Sequence, residues 1–134
     1  MVQLQVEKGD VESGMAAILI VDDEPLMRRN LKMLLSRNGF ETSEASDGRE
    51  ALDAIHQSKF DLVITDYKMP GMDGLEFAKR VHAENPALPV FLVTAFLGYD
   101  VEEAALQCGV KALMTKPVAL EDLLQKVRQI LQLQ

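Results

Sequence analysis

Four short stretches carry side chains able to do chemistry: Asp22-Asp23-Glu24, Asp66, Thr94 and Lys116. Each follows directly on an apolar run: AILIV before Asp22, LVIT before Asp66, PVFLV before Thr94 and VKALMT before Lys116. Carboxylates gathered at close range resist ionising together unless a cation offsets them. A hard divalent cation meets that need, because Mg²⁺ takes oxygen ligands, keeps several waters and is held by one or two carboxylates plus phosphate oxygens. Lys116 then offers a point charge, and Thr94 a hydroxyl donor, to an anion on the same metal. Such a set suits phosphoryl transfer, which needs mainly positioning and charge neutralisation. Asp66 is the candidate nucleophile, forming an aspartyl phosphate.

Singly, each residue has a plainer reading. Asp22 and Asp23 could be acids placed favourably on a helix dipole. Asp66 and Thr94 could be ordinary loop residues, and Lys116 a solvated lysine. The conjunction decides for chemistry: four functional side chains after four buried strands seldom arise by chance.

The elements that must position them can be read from periodicity. AILIV is a short buried strand. In PLMRRNLKMLLSRNG, Met27, Leu31, Leu34 and Leu35 share one helical face, with Pro25 at the start and Gly39 at the stop. FETSEA, residues 40–45, is more polar and reads as an edge strand. DGREALDAIHQS opens with Asp47 and Glu50 as a capping pair. DLVIT is the third strand, and Gly74 opens a helix over LEFAKRVHAEN that Pro86 ends. LPVFLVT is the fourth strand, DVEEAALQCG a short helix, VKALMT the fifth strand and ALEDLLQKVRQILQ the last helix. Alternation of this kind predicts a doubly wound α/β fold: a five-stranded parallel sheet with right-handed crossovers and five helices on its two faces. In such sheets ligands bind beyond the carboxyl ends of the strands, where the four stretches lie. Residues 1–15 lack sustained periodicity and are expected to form a flexible tail, with residues 16–134 as the domain.

Composition narrows the function classes. With 134 residues, 48 % hydrophobic and 26 % charged, the chain suits one globular domain. A formal charge of −7 and no basic block argue against direct binding of nucleic acid. Cys108 is the only cysteine, which rules out an internal disulfide; its apolar neighbours Val101, Ala104 and Ala105 favour a plain core residue. The longest apolar runs fall far short of the roughly 20 residues of a membrane helix, and a cytoplasmic location is expected. No G-x-x-x-x-G-K-[ST] loop occurs, against a P-loop nucleotide hydrolase. His56 and His82 have no ligand-type spacing to other metal-binding residues and read as surface histidines.

VDDEP at 21–25, DLVITDYKMPGMDG at 61–74, VTA at 93–95 and TKP at 115–117 together resemble the receiver domain of two-component response regulators, the chemotaxis-regulator-like superfamily. The resemblance covers Ala16 to about Leu131 and implies the flavodoxin-like strand order 2-1-3-4-5. It implies that Asp66 accepts a phosphoryl group from a histidine kinase or histidine phosphotransfer protein in a Mg²⁺-dependent reaction. Asp22 and Asp23 would hold the metal, Asp23 more directly, with Asp66 and the backbone carbonyl of Lys68. Lys116 would pair with the phosphate beside a cis bond to Pro117, and Thr94 would swing toward it. The new charge would switch the surface of helix four, strand five and helix five, seen by a downstream effector or an appended output domain. The chain would act as a monomer or as a phosphorylation-dependent dimer, a signalling switch rather than a metabolic enzyme.

This sequence departs from the family pattern in three places, one being VKAL on strand five, which lacks the acidic-aromatic pair common in winged-helix regulators and disfavours that subfamily and its symmetric dimer. Leu113 stands where a switch aromatic is usual, three residues before the lysine, and Phe96 or Tyr99 in the loop after Thr94 reads as a static partner contact. Lys68 and Phe96 flank the expected phosphate, where a cation and a large ring should hinder attacking water and prolong the phosphoryl state. Two rival classes stand beside the receiver. One is a degenerate receiver that binds partners without phosphorylation. The other is an aspartyl-nucleophile phosphatase, which would want D-x-D where Asp66 is followed by Tyr67 and Lys68.

Overall fold

The computed structural model describes residues 16–95 and 98–133; the expected N-terminal tail, Phe96 and Leu97 lie outside the described residues. The elements alternate along the chain. β1 (Ala17–Val21) leads to α1 (Pro25–Arg37), β2 (Glu41–Ala45) to α2 (Gly48–Gln57), and β3 (Leu62–Thr65) to α3 (Gly74–Glu84). β4 (Val90–Thr94) then leads to α4 (Tyr99–Gln107), and β5 (Ala112–Thr115) to α5 (Leu120–Ile130). The strands form one parallel sheet in the order β2-β1-β3-β4-β5, as the resemblance implied.

Alternation along each strand sorts the core into two layers, because successive side chains point to opposite faces. Leu19, Val21, Val63, Val90 and Leu92 pack under α2, α3 and the Ala105 side of α4. Ile18, Ile20, Leu62, Ile64, Phe91 and Val93 pack under α1 and α5 through Leu31, Leu35, Leu123 and Val127. β1, β3 and β4 are therefore apolar at both parities, as strands buried on two sides must be. β2 buries only Ala45 and lies at the edge, as its polarity predicted.

Local chemistry starts the helices where the sequence signals them. Pro25 opens α1, where its missing N–H is no loss. Asp47 accepts the Glu50 amide at 2.8 Å, and the Glu50 carboxylate reaches back to the Ser46 amide at 2.6 Å. Asp73 accepts from the amides of Leu75 and Glu76 at 3.0 and 2.9 Å. Cys108 ends α4 at the margin of the first core layer rather than deep within it. Burial pushes its thiol pKa up, against the pull of Lys79, which keeps it a poor nucleophile. His56 on α2 meets Glu84 on α3 at 2.7 Å, a contact that spacing along the chain does not reveal. Both side chains are about half exposed, so the pair adds little to stability.

One glycine ties the fold to the loop after β3. A Cβ on Gly74 would collide with the backbone carbonyl of Asp66 and crowd Tyr67 Cα, while the Gly74 amide donates to the Tyr67 carbonyl at 2.6 Å. The start of α3 thus lies directly against the Asp66–Tyr67 backbone, and any side chain there must displace it. Gly74→Ala is expected to lower unfolding free energy by about 1–3 kcal/mol, the usual range for overpacking. Denaturant unfolding checks this, and an unchanged midpoint would contradict the contact.

Candidate functional site

Sheet register decides which strand ends meet. Val21 pairs with Thr65 across β1 and β3, so the next residues, Asp22 and Asp66, emerge side by side. The Asp66 amide donates to the Val21 carbonyl at 3.0 Å, which prolongs that pairing. Thr94 pairs with Thr115 across β4 and β5, and the Lys116 amide donates to the Thr94 carbonyl at 2.8 Å. Lys116 is thereby launched from the far side of β4, with a cis peptide to Pro117.

The side chains converge. Carboxylate oxygens of Asp22, Asp23 and Asp66 lie within 4.8 Å of one another. The Lys116 ammonium stands 3.4 Å from Asp22 Oδ2 and 3.4 Å from Asp66 Oδ2, bridging the two. Each of these acids uses its other oxygen on a backbone amide. Asp22 Oδ1 accepts from Glu24 N at 3.0 Å, and Asp66 Oδ1 from Tyr67 N at 2.7 Å. Two carboxylates are thus held by matching pairs of contacts, one amide and one shared lysine. Asp23 is exposed and Asp66 half-buried, so the cluster opens to solvent on that side.

Burial and neighbouring charge act together on Asp22 and Lys116, and each ends above its ordinary value. The Asp22 side chain is only 5 % exposed. Desolvation raises its carboxyl above the ordinary value, and the Asp66 charge adds to the rise; the Glu24 amide and Lys116 oppose it. For Lys116, burial favours the neutral amine, but the Asp22 and Asp66 carboxylates outweigh it and raise its pKa above the usual lysine value. The ammonium stays charged at neutral pH and offsets part of the repulsion among the acids.

Three oxygen donors of negative charge at this spacing fit a hard divalent cation such as Mg²⁺. The donor set is hard, incomplete and open on one side, as Mg²⁺ requires if it is to keep waters and take a phosphate oxygen. Thr94 is fully buried at the end of β4. Lys68 is exposed, with its ammonium 5.2 Å from the centre of the Tyr67 ring. Tyr99 is 77 % exposed at the start of α4, and Leu113 is half-buried against the first core layer.

Sequence reasoning missed Arg28. Its Nη1 donates to the Asp22 backbone carbonyl at 2.6 Å, and its Nε lies 3.2 Å from Glu44 Oε1 at the end of β2. Lys32 adds a second cation 3.4 Å from Glu44 Oε2. A signal existed: Arg28 and Lys32 are one turn apart on α1, the spacing at which two side chains share a face. Their target on another strand was not readable.

Comparison with known proteins gives a consistent result. The profile of the response regulator receiver domain matches residues 18–128. The chain is 42 % identical over 116 residues to chemotaxis protein CheY of Pseudomonas aeruginosa, covering 84 % of this chain and 94 % of that protein. It is 40 % identical over 114 residues to response regulator MprA of Mycolicibacterium vanbaalenii, covering 85 % of this chain and 49 % of that protein. The chain thus spans about half the length of that curated relative. Among solved structures, response regulator protein TrrA of Thermotoga maritima, in complex with Mg²⁺-BeF, superposes with a TM-score of 0.80 at 34 % identity. That match covers 87 % of this chain and 99 % of the other. Among the described residues, no helix is long and apolar enough to cross a membrane.

The raised Asp22 pKa yields a test with a defined sign. A carboxyl whose folded pKa lies above its unfolded one binds more protons folded, so stability falls as pH rises through that interval. In chelator at neutral pH, Asp22→Asn should melt higher than the unaltered chain, because it removes the charge that burial disfavours. The gap should close as pH drops toward the ordinary carboxylate value. In excess Mg²⁺ the order should reverse, because only the unaltered chain gains binding energy from the metal. Thermal melts across pH, with and without Mg²⁺, read both effects.

Proposed function

The chain belongs to the response regulator receiver domain family, and from that membership we propose that it is a phosphorylatable switch in two-component signalling. The observation that carries the proposal is the cluster of Asp22, Asp23 and Asp66 within 4.8 Å, with Lys116 bridging two of them.

Asp66 is the phosphoacceptor. Its carboxylate oxygen forms a bond to phosphorus as the P–N bond of a donor phosphohistidine breaks, the electron pair leaving with the ring nitrogen. The Tyr67 amide, 2.7 Å from Asp66 Oδ1, orients the carboxylate and later donates to the acyl oxygen that remains. Asp22, Asp23, Asp66 and the Lys68 carbonyl hold Mg²⁺, which when bound neutralises charge on the transferring phosphoryl group. Lys116 already pairs with Asp66 Oδ2, so it is positioned to follow the charge onto the phosphoryl oxygens. Thr94 supplies a hydroxyl donor to the same group from the end of β4.

The added dianion then biases the surface of α4, β5 and α5. Helix anchoring supports α4 as the element that responds. It buries only Ala105 among its 9 residues, whereas α3 buries four of 11. Few buried contacts make a local shift inexpensive. Leu113 gives this switch an aliphatic rather than an aromatic core-side partner, and the exposed Tyr99 serves as a partner contact. The donor is a histidine kinase or histidine phosphotransfer protein in the cytoplasm. The recipient of the switch is a downstream effector or an appended output domain, engaged as monomer or as phosphorylation-dependent dimer.

Incubation with Mg²⁺ and acetyl phosphate should place one base-labile phosphoryl group per chain, and Asp66→Asn should abolish it. Lys116→Ala should slow labelling about 100-fold or more, the scale of losing one preorganised charge in such a site. Sustained turnover of unrelated phosphomonoesters would instead mark a phosphatase, and absence of label a degenerate receiver.

Lys68 follows the acceptor by two residues, and its cation beside the phosphoryl group hinders attacking water. Lys68→Asn should therefore shorten the phosphoryl half-life severalfold, measured as loss of label after donor removal. An unaltered half-life assigns Lys68 no part in hydrolysis.

A further inference from the structure

The Asp22–Asp23 peptide is held by more than the strand it ends. The Asp22 amide donates to the Ala45 carbonyl at 3.2 Å, but β2 ends at Ala45 and offers the Asp22 carbonyl no further ladder partner. That carbonyl accepts from Arg28 Nη1 at 2.6 Å, a short N–H···O contact made by a charged donor. Arg28 is itself fixed from the other side, its Nε 3.2 Å from Glu44 Oε1, and its side chain is only 18 % exposed. One guanidinium therefore joins the end of β1, the second turn of α1 and the end of β2.

We propose that Arg28 is the positioning residue for the metal end of the pocket, with Glu44 holding it in place. A peptide is planar, so fixing the Asp22 carbonyl fixes the Asp23 amide and Cα, the point from which its side chain starts. Asp23 is the exposed member of the acid cluster, and the Arg28 contact sets the position of its Cα. Arg28 does not touch the metal or the phosphoryl group; it acts through the backbone between two ligands. The inference rests on the Mg²⁺ site of the proposed function and extends it to a residue outside that site.

Charge and geometry predict opposite signs here, which makes the role testable. If Arg28 mattered only as a cation near three carboxylates, removing it would tighten Mg²⁺ binding by relieving competition. As a positioning residue, its removal weakens binding. Calorimetric titration with Mg²⁺ alone should show Arg28→Ala binding roughly tenfold more weakly than the unaltered chain, with Arg28→Lys in between. Glu44→Gln should also weaken binding, and the Arg28→Ala, Glu44→Gln double variant should bind no more weakly than Arg28→Ala alone, because Glu44 acts through Arg28. Thermal melts in chelator establish that each variant is folded, and Arg28→Lys carries the test if Arg28→Ala is not. Mg²⁺ affinity unchanged or tighter in the Arg28 variants would overturn the role, as would fully additive losses. Acetyl phosphate labelling of the unaltered chain separates this from the receiver reading. Metal binding without label sinks phosphorylation and leaves the Arg28 result standing, whereas normal label with unchanged Arg28-variant affinity sinks Arg28 alone.

Discussion

Mutual repulsion among Asp22, Asp23 and Asp66 is the constraint on which the rest of the structure turns. Three carboxylates with oxygens within 4.8 Å of one another are unfavourable in a partly buried setting, and the chain meets the problem with one lysine placed between two of them. Its geometry is economical. Asp22 and Asp66 each give one oxygen to a neighbouring amide and the other to Lys116, so neither buried acid lacks a donor. The Asp22 carboxyl is nonetheless raised above its ordinary value, chiefly by burial and further by the Asp66 charge. A site that retains excess negative charge, and opens to solvent at Asp23, is suited to bind a divalent cation.

The fold exists in a form that makes this cluster possible. A parallel sheet directs all its strand carboxyl ends to one edge, which is why residues far apart in the chain share a rim. Helices on both faces bury β3, β4 and all of β1 beyond Ala17, so their carboxyl ends are held by close packing. Close packing extends into the loop: Gly74 lets α3 start against the Asp66 backbone, and Asp73 caps that helix twice. Asp66 is thus carried by a short, braced turn rather than a free loop.

Rigidity is not uniform, and its distribution matters for signalling. α1, α2, α3 and α5 each bury two or more residues, whereas α4 buries only Ala105. The pocket is fixed on the side of β1 and β3, where acids must hold their spacing. Thr94 and Lys116 come from β4 and β5, which the lightly anchored α4 connects along the chain. Under the proposed function, a change in charge at the acids would be resisted on the flank of β1 and β3 and accommodated at α4, as a two-state surface requires.

Much of this was legible in the linear chain. Alternating strands and helices, the polar edge strand, the helix starts at Pro25, Asp47 and Gly74, and the identity of each residue after a strand are local properties, set by periodicity and by side-chain chemistry within a turn or two. Together they determined the class of fold, and the VDDEP, DLVITDYKMPGMDG and TKP motifs its family. What tertiary structure alone decided is pairing over distance. The register of Val21 with Thr65 sets Asp22 beside Asp66, Lys116 reaches Asp22 across 94 residues of sequence, Arg28 spans to Glu44, and His56 meets Glu84. Periodicity specifies which face of an element is buried but not which element it will face. That depends on strand order, register and packing, which arise only when the whole chain closes on its core.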